Sequence, residues 1–344
     1  MKKVVTFGEL MLRLTPPGRE VILQTPNFVA TFGGAEANVA VAVAAYGDRA
    51  SFVSALPAND LGRAAVAELH RFGVGTDDVK MVEGGRLGLY FTQTGSNMRP
   101  SKVLYDRADS AVANLKPGDI DWDKVLEDAD WFHVTGITPA LSASLCDLTL
   151  EALKACKKKG ITVSCDLNYR KKLWKWGKEP IEVMPEIAKY IDVMIANEED
   201  CQKCLGIRME TGVDAGKLDV SKYKDLADII MRDYPNVRAL AVSLRESVSA
   251  DINNWSGVLA TREGFYQSRK YAITDIVDRI GGGDSFGGSL IYAFRHYGED
   301  YEKIINYAIG GSALKHTIYG DFVRYGREDV EALIAGSGNG RIQR

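Results

Sequence analysis

The run TDIVDRIGGGDSFGGS, Thr274 to Ser289, decides how this chain is read. Gly281, Gly282 and Gly283 carry no side chains, so a ligand's oxygens can reach their backbone N–H groups directly. Asp284 follows at once. Beyond it Phe286, Leu290, Ala293, Phe294 and Tyr297 fall on one helical face at i, i+4, i+7, i+8 spacing. The first N–H groups of a helix lack partners and carry partial positive charge, which makes that end a seat for a phosphate. A carboxylate beside such a seat suits a proton acceptor for an attacking hydroxyl, with the glycine amides holding the developing phosphoryl charge. The same residues also suit a plain turn and N-cap, so the run alone leaves both roles open.

Outward from this run, short β-branched stretches alternate with longer helical patterns. Strands are expected over 4–7, 50–55, 131–135, 162–166, 192–196 and 239–244, and helices over 61–72, 142–159, 181–190 and 222–233. The strands are apolar throughout, as strands covered on both faces should be. The alternation predicts an α/β fold with a doubly wound, mainly parallel sheet whose site lies beyond the strands' carboxyl ends. ANVAVAVAA, 37–45, is apolar on every side and stopped by Gly47, so it reads as a centrally buried helix. Two stretches break the rhythm: 10–31, with Pro16, Pro17 and Gly18, and 86–110, where GLYFTQTGSN and KVLYD read as a hairpin around 95–97. Together they form a small β-sheet lid inserted into one domain spanning 1–344. A surface loop is expected over 209–220 and a frayed tail over 336–344.

Bulk composition narrows the function classes. With 46% hydrophobic and 26% charged residues the chain has ample material for a sizeable core. A net charge of −3 gives no general attraction to nucleic acid or anionic lipid, so an anionic substrate needs a local basic site. No stretch reaches the roughly 20 apolar residues that span a bilayer. Five cysteines, sparse and odd in number, suit a reducing cytoplasm. The lone Cys201/Cys204 pair has no second pair at ligand spacing, which argues against zinc.

Two separated motifs, FGGAEANVA at 32–40 and the 275–286 run, together with the strand–helix order and the inserted lid, resemble the phosphofructokinase-B (ribokinase-like) carbohydrate kinases over essentially the whole chain. Within that family the chain is most similar to the 2-keto-3-deoxygluconate kinases. Glu36 in GGAEANVA, Asn168 and Arg170 in DLNYRKKLW, Tyr105-Asp106-Arg107 and VTGITPAL carry that similarity. The resemblance implies Asp284 as catalytic base, with Gly281, Gly282 and Gly283 forming the anion turn. It implies substrate contacts from Gly34, Asn38, Tyr90, Tyr105, Arg107, Arg170 and Asp321, and ATP contacts from Asn168, Asn197, Ser243 and Arg245 besides Gly281 and Gly283. ATP and Mg²⁺ are the implied cofactors, and a monovalent cation is left open.

An acid sugar fits these residues on physical grounds. Its carboxylate needs fixed positive charge, and arginine bonds carboxylate with a planar fork. Arg107 and Arg170 come from different segments on the expected site side. Tyr90 and Tyr105 suit the carbon chain and its hydroxyls, though lid packing explains Tyr90 as well. Arg13 stands where sugar kinases often have Asp; added positive potential and a place on the lid surface are equal readings.

Three departures from the family pattern bear on the nucleotide side. The NxxE element reads NEED, with Asp200 as a shorter magnesium-linked acid and Glu198 or Glu199 as its alternatives. Arg245 stands where a TxG-like turn expects glycine, and a longer 246–257 segment could displace it. Gly282 replaces the usual alanine, a change expected to be harmless. The implied reaction is phosphorylation of the C6 hydroxyl of 2-keto-3-deoxygluconate. The alternatives are a fructokinase or other ketose or aldose kinase, and a sugar-binding regulator without turnover. Apolar residues at alternate lid positions predict a homo-oligomer formed through the lid.

Overall fold

The computed structural model describes residues 2–208 and 220–337, so nearly all of the expected 209–220 loop and 336–344 tail lies outside the described residues. A ten-stranded sheet forms the middle layer. Its order runs Phe265–Gln267, Asn253–Thr261, Ala239–Ser247, Val193–Ile195, Thr162–Asp166, Ala129–Thr135, Lys3–Phe7, Ala50–Pro57, Val79–Val82, with Tyr271–Ile273 also paired to Asn253–Thr261. Every pair from Ala239–Ser247 to Val79–Val82 is parallel. The six strands expected from sequence all lie in this part, and their apolar residues feed a core on each face of the sheet.

Helix ends follow local chemistry. Asn59 caps Asp60–Arg71 through the amides of Leu61 and Gly62, and Ser142 caps Ala143–Lys159 through Leu145. Gly160 closes the latter helix in the left-handed conformation. The all-apolar segment is the helix Ala35–Ala45, with Ala37 through Val43 buried. It packs against the helix Gly282–Tyr297, and Gly288 permits the approach, since a Cβ there would lie 2.6 Å from that of Ala42. That contact brings the two sequence motifs together.

The antiparallel edge beyond Ala239–Ser247 and the helix Tyr301–Lys315 were not expected. Asn253–Thr261 carries Asn253, Asn254, Ser256 and Gly257, which interrupt an apolar run, and Tyr301–Lys315 carries Gly310 and Gly311, poor helix formers. Tertiary packing overrides both: a Cβ on Gly311 would lie 2.1 Å from Ser289 Oγ in the neighbouring helix.

A separate four-stranded sheet has the order Val29–Gly33, Met11–Thr15, Leu89–Gln93, Lys102–Asp106. Both irregular stretches supply it, and the expected hairpin turns through a Ser96–Arg99 bridge with Asn97 at positive φ. Strand pleating sends Arg13, Tyr90 and Tyr105, paired in register, to one face. Leu12, Leu14, Phe32, Leu89, Phe91 and Leu104 go to the other.

Candidate active site

A cavity of about 660 Å³ opens beyond the carboxyl ends of the parallel strands. It is lined by Gly34, Asn38, Tyr90, Tyr105, Arg107, Asn168, Arg170, Asn197, Ser243, Arg245, Gly281, Gly282, Gly283, Asp284 and Asp321. All the expected site residues meet there except Asp200.

The floor is the start of Gly282–Tyr297. Gly281 precedes it at φ 81°, a conformation that favours glycine, and no side chain caps the first amides. A Cβ on Gly281 would lie 2.4 Å from the Asp321 carbonyl, whereas one on Gly283 would meet nothing within 4 Å. The turn is therefore locked from behind and open in front. Gly282 is less free than expected, because a Cβ there would press to 3.0 Å from the His316 ring.

Asp284 projects from this turn, and its Oδ2 accepts the Asn38 side-chain amide at 2.6 Å. Burial pushes its pKa up to about 7; the Asn38 bond pulls it down, Asp321 and Glu36 raise it, and Arg170 lowers it. A carboxyl poised near neutrality is matched to accept a proton from a hydroxyl. Asn38 is itself oriented by the Gly34 amide, which donates to its Oδ1 at 3.3 Å. Gly34 has no room for a side chain, since a Cβ would lie 1.9 Å from the Glu9 carbonyl.

Arg13 is 0% exposed, which corrects the reading of a lid-surface residue. Its guanidinium spans Asp321 Oδ1 at 2.7 Å and Asp278 Oδ2 at 2.6 Å. Asp321 Oδ2 accepts the Tyr90 hydroxyl at 2.7 Å. Arg13, Tyr90 and Asp321 thus join the four-stranded sheet to the 281–283 turn, and Asp278 holds that turn through Ile280 N at 3.0 Å.

The two arginines of the acid-sugar reading both reach the cavity, in different states. Arg107 is buried and bound by Glu9, which accepts from its Nε at 2.7 Å and from Nη2. It also lies 5.3 Å from the Tyr105 ring centroid. Arg170 is exposed and donates Nη1 to the Tyr169 carbonyl.

On the nucleotide side, Asn168 is held at φ 39°, an uncommon conformation for a residue with a side chain. Asp166 holds its amide at 3.0 Å. Asn197 caps Glu198–Leu205 through a capping box with Asp200. The Asp200 oxygens accept the amides of Tyr169 at 2.8 Å and Asn197 at 3.0 Å. The shorter acid therefore braces two loops from behind the cavity, while Glu198 and Glu199 line it. Arg245 is not displaced: 248–252 forms the turn of an antiparallel ladder in which Arg245 pairs with Trp255.

Sequence reasoning missed Glu9, Asp166, Trp255, Arg279 and His316, all in the lining. Asp166 and Arg279 sat inside motifs already quoted, and their positions at a strand end and beside the glycine run were available signals. Burial lowers the His316 pKa to about 4, so the ring is neutral. Its Nδ1 faces the Ser312 carbonyl at 2.8 Å and must carry the hydrogen, leaving Nε2 as an acceptor.

An uncapped helix start, a carboxyl tuned to neutrality and a deep cleft beyond the strand ends define a phosphoryl-transfer enzyme acting on a small hydroxyl compound. Comparison with known proteins agrees. The pfkB family carbohydrate kinase model matches residues 1–227. The chain is 34% identical over 338 residues to the 2-dehydro-3-deoxygalactonokinase of Haloferax volcanii, covering 98% of both. It is 26% identical over 323 residues to the 2-dehydro-3-deoxygluconokinase of Thermoproteus tenax, covering 93% of this chain and 90% of that one. The crystal structure of 2-dehydro-3-deoxygluconokinase from Thermotoga maritima superposes with a TM-score of 0.91 at 47% identity, covering 98% of this chain and 100% of that one. The chain belongs to the pfkB family of carbohydrate kinases. It is an ATP-dependent carbohydrate kinase with the ribokinase-like fold.

Proposed function

We propose that the chain transfers the γ-phosphoryl group of ATP to the C6 hydroxyl of 2-keto-3-deoxygluconate or its galactonate epimer. The observation that carries this reading is the shared cavity: Asp284 stands at the anion turn, and Arg107 and Arg170 line the same space. The arginines hold the carboxylate, which directs the far hydroxyl of a linear acid toward Asp284. Asp284 takes the hydroxyl proton as that oxygen bonds to the γ-phosphorus and the bond from phosphorus to the ADP oxygen breaks. Amides of the 281–283 turn receive the charge on the transferring group. Tyr90 and Tyr105 lie over the carbon chain, and the lid sheet excludes water that would otherwise hydrolyse ATP.

Magnesium bound with the nucleotide neutralises phosphate charge and aligns the phosphates. Among the described residues no three His, Cys, Asp or Glu side chains are grouped to hold a metal ion unaided. The oxygen donors of Asn197, Glu198, Glu199 and Asp166 fit an ion that arrives with phosphate and water ligands.

A neutral ketose is the second reading, because Glu9 already offsets the Arg107 charge. ADP release measured with the two keto-deoxy acids, fructose and ribose separates the readings. We expect kcat/KM for one of the acids to exceed that for fructose by about 100-fold, the worth of a charge-assisted contact. Equal or better use of fructose would reject the acid sugar.

We further propose a homo-oligomer formed through the lids. Leu12, Leu14, Phe32, Leu89, Phe91 and Leu104 share the face turned from the cavity, and Leu104 is 52% exposed. Phe91→Lys is expected to lower the sedimentation coefficient to that of a monomer. A wild-type protein that already sediments as a monomer removes the proposal. The five free cysteines are all buried thiols, which supports the cytoplasm as the compartment.

A further inference from the structure

The helix Tyr301–Lys315 ends on a lysine that is 0% exposed and lines no part of the cavity. Its Nζ donates to the Ile318 carbonyl at 3.1 Å, so its bonded partner is backbone and not a carboxylate. Burial lowers its pKa, Asp278, Asp321 and Asp284 raise it, and Arg13 lowers it further. A helix carboxyl end and a turned-in carbonyl create negative potential here, to which Asp278 and Asp321 add only what their pairing with Arg13 leaves. That field favours a positive charge at the Lys315 position.

The segment that Lys315 closes is the bed of the anion turn. Ser312 Oγ donates to the Gly282 carbonyl at 2.7 Å. The His316 carbonyl accepts the amides of Val277 at 2.9 Å and Asp278 at 3.3 Å. The Gly320 amide donates to Asp278 Oδ2 at 3.1 Å. Movement of 315–321 would therefore move 277–283.

We propose that the Lys315 ammonium is a built-in cation that fixes the bed of the Gly281–Gly283 turn, so that neither the fold nor the turnover of the wild-type chain draws on a monovalent metal ion. Lys315 acts as a positioning residue, through the turn and not on substrate. The turnover arm of its test rests on the kinase reading; the melting arm does not, so the two can fail separately.

The test compares wild-type protein with Lys315→Met in potassium chloride, ammonium chloride or tetramethylammonium chloride at equal ionic strength. Tetramethylammonium is far bulkier than potassium or ammonium and has no N–H to donate. Wild-type Tm is expected to agree within about 1 °C across the salts. Its kcat should agree within about twofold. In tetramethylammonium, Lys315→Met should melt roughly 5–10 °C lower. There its kcat should fall on the order of tenfold while sugar KM changes little. Potassium or ammonium should restore part of both losses in the variant only. Lys315→Gln serves if the Met variant does not fold, and the wild-type arm decides if neither does. A wild-type chain that loses Tm or turnover without potassium overturns the proposal. So does a variant that behaves as wild type, or one whose losses no small cation repairs.

Discussion

The side-chain amide of Asn38, on one motif's helix, bonds the Asp284 carboxylate of the other motif at 2.6 Å, across 246 residues of sequence. The bond orients the carboxyl and partly offsets the rise in its pKa that burial causes. Asn38→Leu should therefore move the acid limb of the kcat/KM profile to higher pH, by roughly one unit for a lost hydrogen bond to a charged group. A full pH–rate profile checks this; an unmoved limb would mean that Asp284 is not the titrating group.

Wild-type activity itself should fall as pH drops through about 7, because Asp284, as the proposed proton acceptor, must be ionised and its pKa lies there. The stability dependence has the opposite sense. A folded pKa above the unfolded one means that the native state binds the proton more tightly, so stability falls as pH rises through the window between the ordinary carboxylate value and about 7. Asp284→Asn removes that penalty and should raise Tm at pH 8 by a few degrees, on the order of 1–2 kcal/mol for a partly solvated group. Melting curves at pH 5 and pH 8 measure it, with a smaller gain expected at pH 5, where only the first part of that window has been crossed.

Arg13 is sealed between Asp278 and Asp321. Arg13→Met leaves two buried carboxylates without their cation and should cost about 3–5 kcal/mol, as expected for a buried pair broken from one side. Urea unfolding monitored by tryptophan fluorescence gives this value directly. A loss below about 1 kcal/mol would mean that the pair contributes little.

Arg107→Ala should raise KM for the acid sugar by roughly 10–100-fold with a smaller change in kcat, since a carboxylate contact made throughout the reaction is uniform binding. Glu9→Gln keeps the arginine's bonding partner and lifts the competing charge, so KM for the acid sugar should fall. Steady-state kinetics of both variants distinguishes a binding arginine from one that only braces Glu9.

Much of this was legible in the chain. The parallel strands are continuous apolar runs, and such runs are read well because burial on both faces leaves no alternative composition. The glycine turn at the helix start was legible because Gly281, Gly282 and Gly283 stand before an amphipathic helix. Arg13 stayed open between two readings because an arginine in an alternating strand ordinarily points to water; only the fold brings Asp278 and Asp321 around it. Asp200 was read as a metal-linked acid, yet its oxygens accept backbone amides, a capping role that its spacing from Asn197 also permits. Lys315 gave no signal at all, since nothing local separates a buried lysine from a solvated one.

Turnover of Asp284→Asn with ATP and the keto-deoxy acid bears most directly on the account. The substitution keeps the Asn38 contact within reach and removes the proposed proton acceptor. We expect kcat to fall on the order of 10²–10⁴-fold while binding of the acid sugar, measured by calorimetry, changes less than about threefold. An Asp284→Asn enzyme that turns over at the wild-type rate would contradict a reaction built on this carboxylate.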